Sequence, residues 1–247
     1  MRLSIVIPAY NEEKNIKSTV QDVIRFCECH PKIDAYEIIV VDDGSKDQTF
    51  NILNQLQHRH SRMHVISHDT NRGYGAALKS GFAQTQYEWI FYMDSDKQFS
   101  IEDIHLFLKH ADANKKVMFT GYRSNRKDGV LRSLNAWIYR LSLNIGFGIR
   151  VKDVNCAFKL FPREIVLHTL YSNGATINCE LFYYAKKHKL KVIEIPVNHY
   201  SRQYGHQTGA HVRVVIGAMI RLADIRLKFW GQEIASVITK TRSLFHL

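Results

Sequence analysis

Four short apolar runs, at residues 3–7, 37–41, 64–67 and 89–93, are each closed by polar residues. Runs of this length bounded by turn-forming residues read as strands buried on both faces. Between the first two runs, from about Glu12, residues Ile16, Val20, Val23, Ile24 and Cys27 share one helical face, with Asn11 as the expected N-cap. Further helices are expected at 47–58 and from 75 to 83. Strands that alternate with helices in this way pair in parallel through crossovers, so the order predicts an α/β fold with a mostly parallel, doubly wound sheet. The second half is less regular, with strands expected at 117–121, 157–161 and 191–195 and helices at 130–143, around Glu180 and at 212–230.

The 247 residues are enough for one large α/β domain, and an apolar fraction of 45% supplies its core. Four cysteines, Cys27, Cys29, Cys156 and Cys179, make no disulfide framework in a chain this long. Cys27 and Cys29 point apart on a helix, which does not suit zinc, and a reducing compartment is the simpler expectation. The net charge of +11 fits phosphorylated ligands or an anionic membrane surface, and no nucleic-acid-binding motif accompanies it. No secretory leader is recognisable, and no apolar stretch reaches the roughly 18 residues needed to span a bilayer. A soluble or peripherally attached protein is expected.

In open α/β sheets, ligands sit beyond the carboxyl ends of the strands. Here those ends read Pro8-Ala9-Tyr10-Asn11-Glu12, Asp42-Asp43-Gly44-Ser45, Asn71-Arg72-Gly73-Tyr74-Gly75 and Asp94-Ser95-Asp96. Each alone is ordinary loop chemistry, but four at successive strand ends point to a site. Two carboxylates fixed at the end of WIFYM suit a hard divalent cation, Mg²⁺ or Mn²⁺, shared with a diphosphate. Gln98 can add a carbonyl oxygen.

Taken in order with Ile5-Val6-Ile7 before Pro8 and Lys97-Gln98 after Asp96, these motifs resemble the inverting GT-A enzymes of glycosyltransferase family 2, among them the dolichol-phosphate mannose synthases and bacterial polyprenyl-phosphate glycosyltransferases. The resemblance is dense over 3–125 and thinner through Asp153-Val154-Asn155-Cys156-Ala157-Phe158 and Glu194-Ile195-Pro196-Val197. It implies a GT-A domain over 1–210, with a nucleotide-sugar half (1–121) and an acceptor half (122–210), followed by an amphipathic helix and basic tail over 211–247. It further implies that Pro8, Tyr10, Glu12, Asp42, Asp43, Asp94, Ser95, Asp96 and Arg202 line the nucleotide-sugar site. Asp94 and Asp96 would act in catalysis and hold the metal with Gln98. Arg123 would act in catalysis by meeting an acceptor phosphate, with Arg132 as a second candidate. Where the mannose synthases carry a Gly-x-Ser-Lys stretch, this chain has Gly205-His206-Gln207-Thr208, which weakens GDP-mannose as the donor.

The expected activity is inverting transfer of a hexose from a nucleotide-sugar, GDP-mannose or a UDP-sugar, to a polyprenyl or dolichyl phosphate. A phosphate acceptor is already ionised and needs no general base. An alternative keeps the donor site and uses a saccharide hydroxyl, for which Glu180 or Asp153 would be the base. A further alternative is a non-catalytic nucleotide-sugar-binding protein, against which the intact Asp94 and Asp96 argue. The basic residues Arg213, Arg221, Arg226 and Lys228 beside Val215, Met219, Leu222 and Phe229 give a helix able to lie in a membrane interface. The lipid acceptor places the protein at the cytoplasmic face of a membrane.

Overall fold

The structure, a computed structural model, describes residues 1–111, 116–124, 130–202 and 212–245, with side chains throughout except at 130–136, 212–216 and 236–245. These residues form two compact units, one of 1–127 and 151–207 and one of 128–150 and 208–247.

The first unit holds a seven-stranded mixed sheet. Its strands are β1 (Arg2–Ala9), β2 (Ala35–Asp42), β3 (Met63–Ser67), β4 (Trp89–Met93), β5 (Val117–Arg123), β6 (Phe158–Pro162) and β7 (Lys191–Val197). They lie in the order β3-β2-β1-β4-β6-β5-β7. β1, β2, β3 and β4 run parallel, as do β5 and β7, while β6 is antiparallel to both β4 and β5. Seven consecutive residues of β1 and of β2 and all five of β4 are buried, as continuous apolar runs in a sheet covered on both faces demand. The helices in chain order are α1 (Ile16–Cys29), α2 (Thr49–Arg59), α3 (Tyr74–Gln84), α4 (Ile104–Ala111), α5 (Val130–Phe147), α6 (Ile177–Lys187) and α7 (Val212–Phe245). At Gly81 of α3 a Cβ would stand 2.5 Å from Val6 Cγ1, so only glycine lets this helix approach β1 so closely.

Parallel register decides where the site lies. Ala9 pairs with Asp42 and Val6 with Tyr92, so the carboxyl ends of β1, β2 and β4 finish at one edge. Pro8, Tyr10, Glu12, Asp42, Asp43, Asp94 and Asp96 follow from that edge.

Three expectations change. α1 starts at Ile16, not near residue 12, and Asn11 is no cap. It sits at φ 54°, donating its backbone N–H to Ser45 Oγ (2.9 Å) and accepting from Lys46 N–H (2.8 Å). The loop after β1 is thus fastened to the loop after β2 rather than closed onto its own helix. The 3₁₀ turn Ile101–Asp103 and α4 were not anticipated, although Ile104, Phe107, Leu108 and Ala111 bury one helical face there. α7 runs past residue 230 to Phe245.

The second unit pairs α5 with α7. Phe147 meets the ring of Phe229 edge-on with centroids 6.3 Å apart, and Leu143, Leu222 and Ile225 are also buried. The sequence divided the chain at 210/211, whereas the structure groups α5 with α7. Both helices keep an exposed apolar stripe: Trp137, Leu141 and Ile145 on α5, and Ile220, Leu227, Trp230 and Ile234 on α7. Among the described residues, no helix is long and apolar enough to cross a membrane.

Candidate active site

Asp94 and Asp96 stand where β4 ends. Asp94 Oδ1 is buried and has no hydrogen-bond partner among the described residues. Burial, and then the charge of Asp96, push the Asp94 carboxyl up to about 7, against the opposing influence of the Tyr74 hydroxyl and the charges of Lys159 and Arg123. Asp96 Oδ1 accepts from Gln98 N–H at 3.1 Å. Asp96 Oδ2 lies 3.8 Å from Arg202 Nη1, and the same guanidinium pairs with Glu12. Glu12 is itself buried, which raises its carboxyl pKa, while Asn15 and Arg202 oppose the rise. Arg202 therefore stands as a cation between acids brought from the ends of β1 and β4.

An orphaned carboxylate oxygen beside a second acid is the environment a divalent cation relieves. The described residues gather no cluster of three or more His, Cys, Asp or Glu side chains fit to hold a metal. A cation held by the two aspartates would complete its shell from water and ligand phosphates, as Mg²⁺ and Mn²⁺ commonly do.

The structure separates the two acids after β2. Asp43 is fully used: Oδ1 pairs with His68 Nδ1 (2.6 Å) and accepts from Arg72 N–H (2.9 Å), while Oδ2 accepts from Gly73 N–H (2.8 Å). His68 Nε2 in turn meets Ser80 Oγ at 2.9 Å. Asp43 thus clamps the Asn71–Gly75 turn. Asp42 Oδ2 has a long contact with Ser67 Oγ (3.4 Å), and its buried Oδ1 has no partner among the described residues. Of the pair, Asp42 keeps the acceptor that a nucleobase N–H can fill.

Ser95, expected from sequence to line the nucleotide-sugar site, donates its hydroxyl to Pro8 O at 2.9 Å and accepts at its own carbonyl from Thr19 Oγ1 at 3.0 Å. These bonds tie the segment after β4 to β1 and to α1. Pro8 is buried in β1, whereas Tyr10 is exposed and offers a ring face. Gln98 donates through Nε2 to Tyr200 O (3.2 Å) and accepts at its backbone carbonyl from Tyr200 N–H (2.9 Å), anchoring the segment that leads to Arg202.

Arg123, at the end of β5, is gripped bidentately by Asp153, with Nε–Oδ2 at 2.6 Å and Nη2–Oδ1 at 2.9 Å. Glu180, one of the two sequence candidates for a general base, is fully buried. Its oxygens accept from Tyr171 N–H (2.6 Å) and Ser172 N–H (2.7 Å). It is a loop clamp, and this corrects its assignment as a base. The side chain of Arg132, and Gly205, His206, Gln207 and Thr208, lie outside the described residues.

Two residues that sequence reasoning passed over complete the site from below. The Tyr74 hydroxyl lies near Asp94, where burial and the charge of that carboxylate raise the Tyr74 pKa. It is delivered there by Gly73, at φ 98°, where a Cβ would lie 2.5 Å from Asn173 O. Lys159 is wholly buried, and burial lowers its pKa to about 8. A lone lysine inside the apolar strand FKLFP was the available signal.

A family model described as Glycosyl transferase family 2 matches residues 4–170. The chain is 31% identical over 218 residues to a dolichyl-phosphate beta-glucosyltransferase of Dictyostelium discoideum, covering 79% of this chain and 65% of that one. It is 30% identical to the human protein of the same name, over 80% of this chain and 67% of that one. It is 28% identical to an undecaprenyl-phosphate 4-deoxy-4-formamido-L-arabinose transferase of Salmonella choleraesuis, over 87% and 64%. The chain thus spans about two thirds of the length of these relatives. Glucosyl-3-phosphoglycerate synthase from Mycobacterium tuberculosis, solved with Mn²⁺, UDP and glucosyl-3-phosphoglycerate, has the same fold, with a TM-score of 0.66 at 19% identity over 92% of this chain and 78% of that one.

Proposed function

The chain belongs to glycosyl transferase family 2, and we propose that it transfers a hexose, with inversion, from a nucleotide-sugar to a polyprenyl or dolichyl phosphate. The observation that carries this reading is the pair Asp94 and Asp96 at the β4 end, with an orphaned Asp94 oxygen and Arg202 spanning Asp96 and Glu12. Of the two donors expected from sequence, the UDP-sugar is favoured, and UDP-glucose within that class. Two relatives are named as dolichyl-phosphate beta-glucosyltransferases, and the structural neighbour holds UDP.

Asp42 accepts from the base N–H, Tyr10 offers its ring face, and Arg202 leaves Asp96 for the diphosphate. Asp94 and Asp96 would hold Mg²⁺ or Mn²⁺, with Gln98 as a further oxygen ligand, and the bound cation would supply positive charge to balance the diphosphate. Arg123, kept in plane by Asp153, binds the acceptor phosphate through its guanidinium edge. An ionised phosphate oxygen then attacks the anomeric carbon on the face opposite the diphosphate. The new C–O bond forms as the bond to the nucleoside diphosphate breaks, and no side chain accepts a proton. The saccharide-hydroxyl alternative is disfavoured because Glu180 is consumed by backbone N–H groups and Asp153 by Arg123.

The exposed stripes of α5 and α7, together with Arg140, Arg221, Arg226 and Lys228, support peripheral attachment to an anionic membrane surface. The four free cysteines, buried except for the exposed Cys29, support its cytoplasmic face. The deciding experiment offers UDP-glucose, GDP-mannose and UDP-N-acetylglucosamine with a short polyprenyl phosphate and Mn²⁺ or Mg²⁺. Transfer from UDP-glucose that disappears in Asp96→Asn is expected. Transfer that survives Asp96→Asn unchanged overturns the metal assignment.

A further inference from the structure

Arg202, the cation between Asp96 and Glu12, is carried by residues 198–202, which follow β7 and form neither helix nor strand. With no strand ladder to hold it, the segment is placed by contacts with residues 98–103, made by three consecutive residues. Asn198 donates its backbone N–H to Asp103 Oδ2 (2.8 Å) and its side-chain amide to Asp103 Oδ1 (3.3 Å). The ring of His199 meets Phe99 edge-on with centroids 5.2 Å apart. Tyr200 is clasped by Gln98 at both its N–H (2.9 Å) and its carbonyl (3.2 Å). Tyr200 and Phe99 line a cleft of about 380 Å³ together with Thr19 and Asp22 of α1, which leaves the segment without close packing on that side. Asp103 is the acid of this contact that the transfer reaction does not use. It is buried, it closes the 3₁₀ turn before α4, and it is itself fixed by donating its N–H to Ser100 O (3.2 Å). A buried carboxylate carries a large desolvation cost, and an apolar side chain would fill the position more cheaply. What the carboxylate gains is a two-point grip on the residue from which the chain departs toward Arg202.

We propose that Asp103 is a positioning residue for the donor: through Asn198 it fixes the 198–202 segment so that Arg202 waits beside Asp96 and Glu12, where the nucleotide diphosphate arrives. The proposal rests on the reading that Arg202 leaves Asp96 for that diphosphate. A guanidinium already placed at the site loses less freedom on binding than one on a loose segment. The grip therefore adds to diphosphate affinity without touching the nucleotide. It also acts on two ligands with opposite sign. Arg202 held 3.8 Å from Asp96 Oδ2 favours the nucleotide and opposes a cation that arrives alone. Loosening the segment weakens nucleotide binding and releases Asp96, whereas a general loss of structure weakens both.

The test measures UDP affinity in the presence of Mn²⁺ by calorimetry, and the affinity for Mn²⁺ alone by electron paramagnetic resonance, on the full chain. Asp103→Asn turns an amide N–H₂ toward Asn198 and is expected to weaken UDP binding by about 5-fold, the scale of one intramolecular hydrogen bond. It is expected to bind Mn²⁺ alone at least as tightly as wild type. The double variant with Arg202→Ala is expected to bind UDP no worse than Arg202→Ala alone, because Asp103 acts only through Arg202. A folded Asp103→Asn with wild-type UDP affinity, with weakened binding of Mn²⁺ alone, or with a loss that multiplies that of Arg202→Ala overturns the proposal. If Asp103→Asn does not fold, Asn198→Ala removes one of the two bonds, and unchanged UDP affinity there overturns it equally. Arg202→Ala that binds UDP as wild type does defeats the reading of Arg202 and the proposal with it. A loss in Arg202→Ala beside normal binding in Asp103→Asn defeats the proposal alone.

Discussion

Arg123 and Asp153 form a two-point ion pair, Nε to Oδ2 at 2.6 Å and Nη2 to Oδ1 at 2.9 Å, with both side chains largely withdrawn from solvent. A carboxylate in this position fixes the plane of the guanidinium and also balances its charge while no phosphate is bound.

Removing the arginine therefore affects the acceptor and not the donor. Arg123→Ala is expected to lower kcat/KM for polyprenyl phosphate by roughly 100-fold, the scale of losing one preorganised donor to developing charge. UDP affinity measured by calorimetry should stay at the wild-type value. Asp153→Asn should raise the acceptor KM through a loosened Arg123. If Asp153 is instead a base for a hydroxyl acceptor, its loss appears in kcat and its pH profile.

Asp94 gives a pH signature. Its carboxyl is raised to about 7 in the folded, metal-free protein, against an ordinary value near 4. Between those values the folded state binds more protons than the unfolded state, so this group makes stability fall as pH rises from about 4 to about 7. Asp94→Asn removes the penalty. The metal-free variant should melt a few degrees above wild type at pH 7.5, with the difference shrinking toward pH 4. It should also lose the rise in Tm that Mn²⁺ and UDP give wild type.

Arg202 competes with a metal for Asp96 as long as the site is empty of nucleotide, since it stands 3.8 Å from Oδ2 and pairs with Glu12. Arg202→Ala is expected to tighten binding of Mn²⁺ alone while weakening UDP in the presence of Mn²⁺. Titration of the nucleotide-free variant that shows weaker Mn²⁺ uptake than wild type would contradict this placement.

Glu180 holds backbone, not substrate. Glu180→Gln leaves an amide N–H₂ facing Tyr171 or Ser172 N–H in place of a carboxylate oxygen. The expected cost is about 2–3 kcal/mol of stability, in line with lost charge-assisted hydrogen bonds in a buried setting, read as a lowered midpoint in denaturant. The pH dependence of kcat should keep its wild-type shape, which a general base would not allow.

The stripes on the helical unit make the last prediction. Trp137 and Trp230 are each more than half exposed. Replacing both with Ser should reduce flotation with vesicles containing phosphatidylserine, leave the far-ultraviolet circular dichroism unchanged, and spare transfer to a detergent-dispersed short-chain acceptor. Equal flotation of variant and wild type would remove the stripes as the attachment surface.

The sequence alone determined the α/β class, the strands β1, β2 and β4, and the polar clusters at their ends, because continuous apolar runs and helical spacing are local signals that tertiary packing rarely overrides. It placed Asp94 and Asp96 correctly at the end of β4 for the same reason. It could not tell Asp42 from Asp43 or see that Glu180 is a clamp, since these depend on which backbone N–H groups arrive from loops 29 or 30 residues away in one case and 8 or 9 in the other. Nor could it place the ammonium of Lys159 against Tyr92 and the carbonyls of Val154 and Cys156, or join α5 to α7. Hydrogen bonding and burial are properties of neighbours in space, and only the folded chain decides which residues become neighbours.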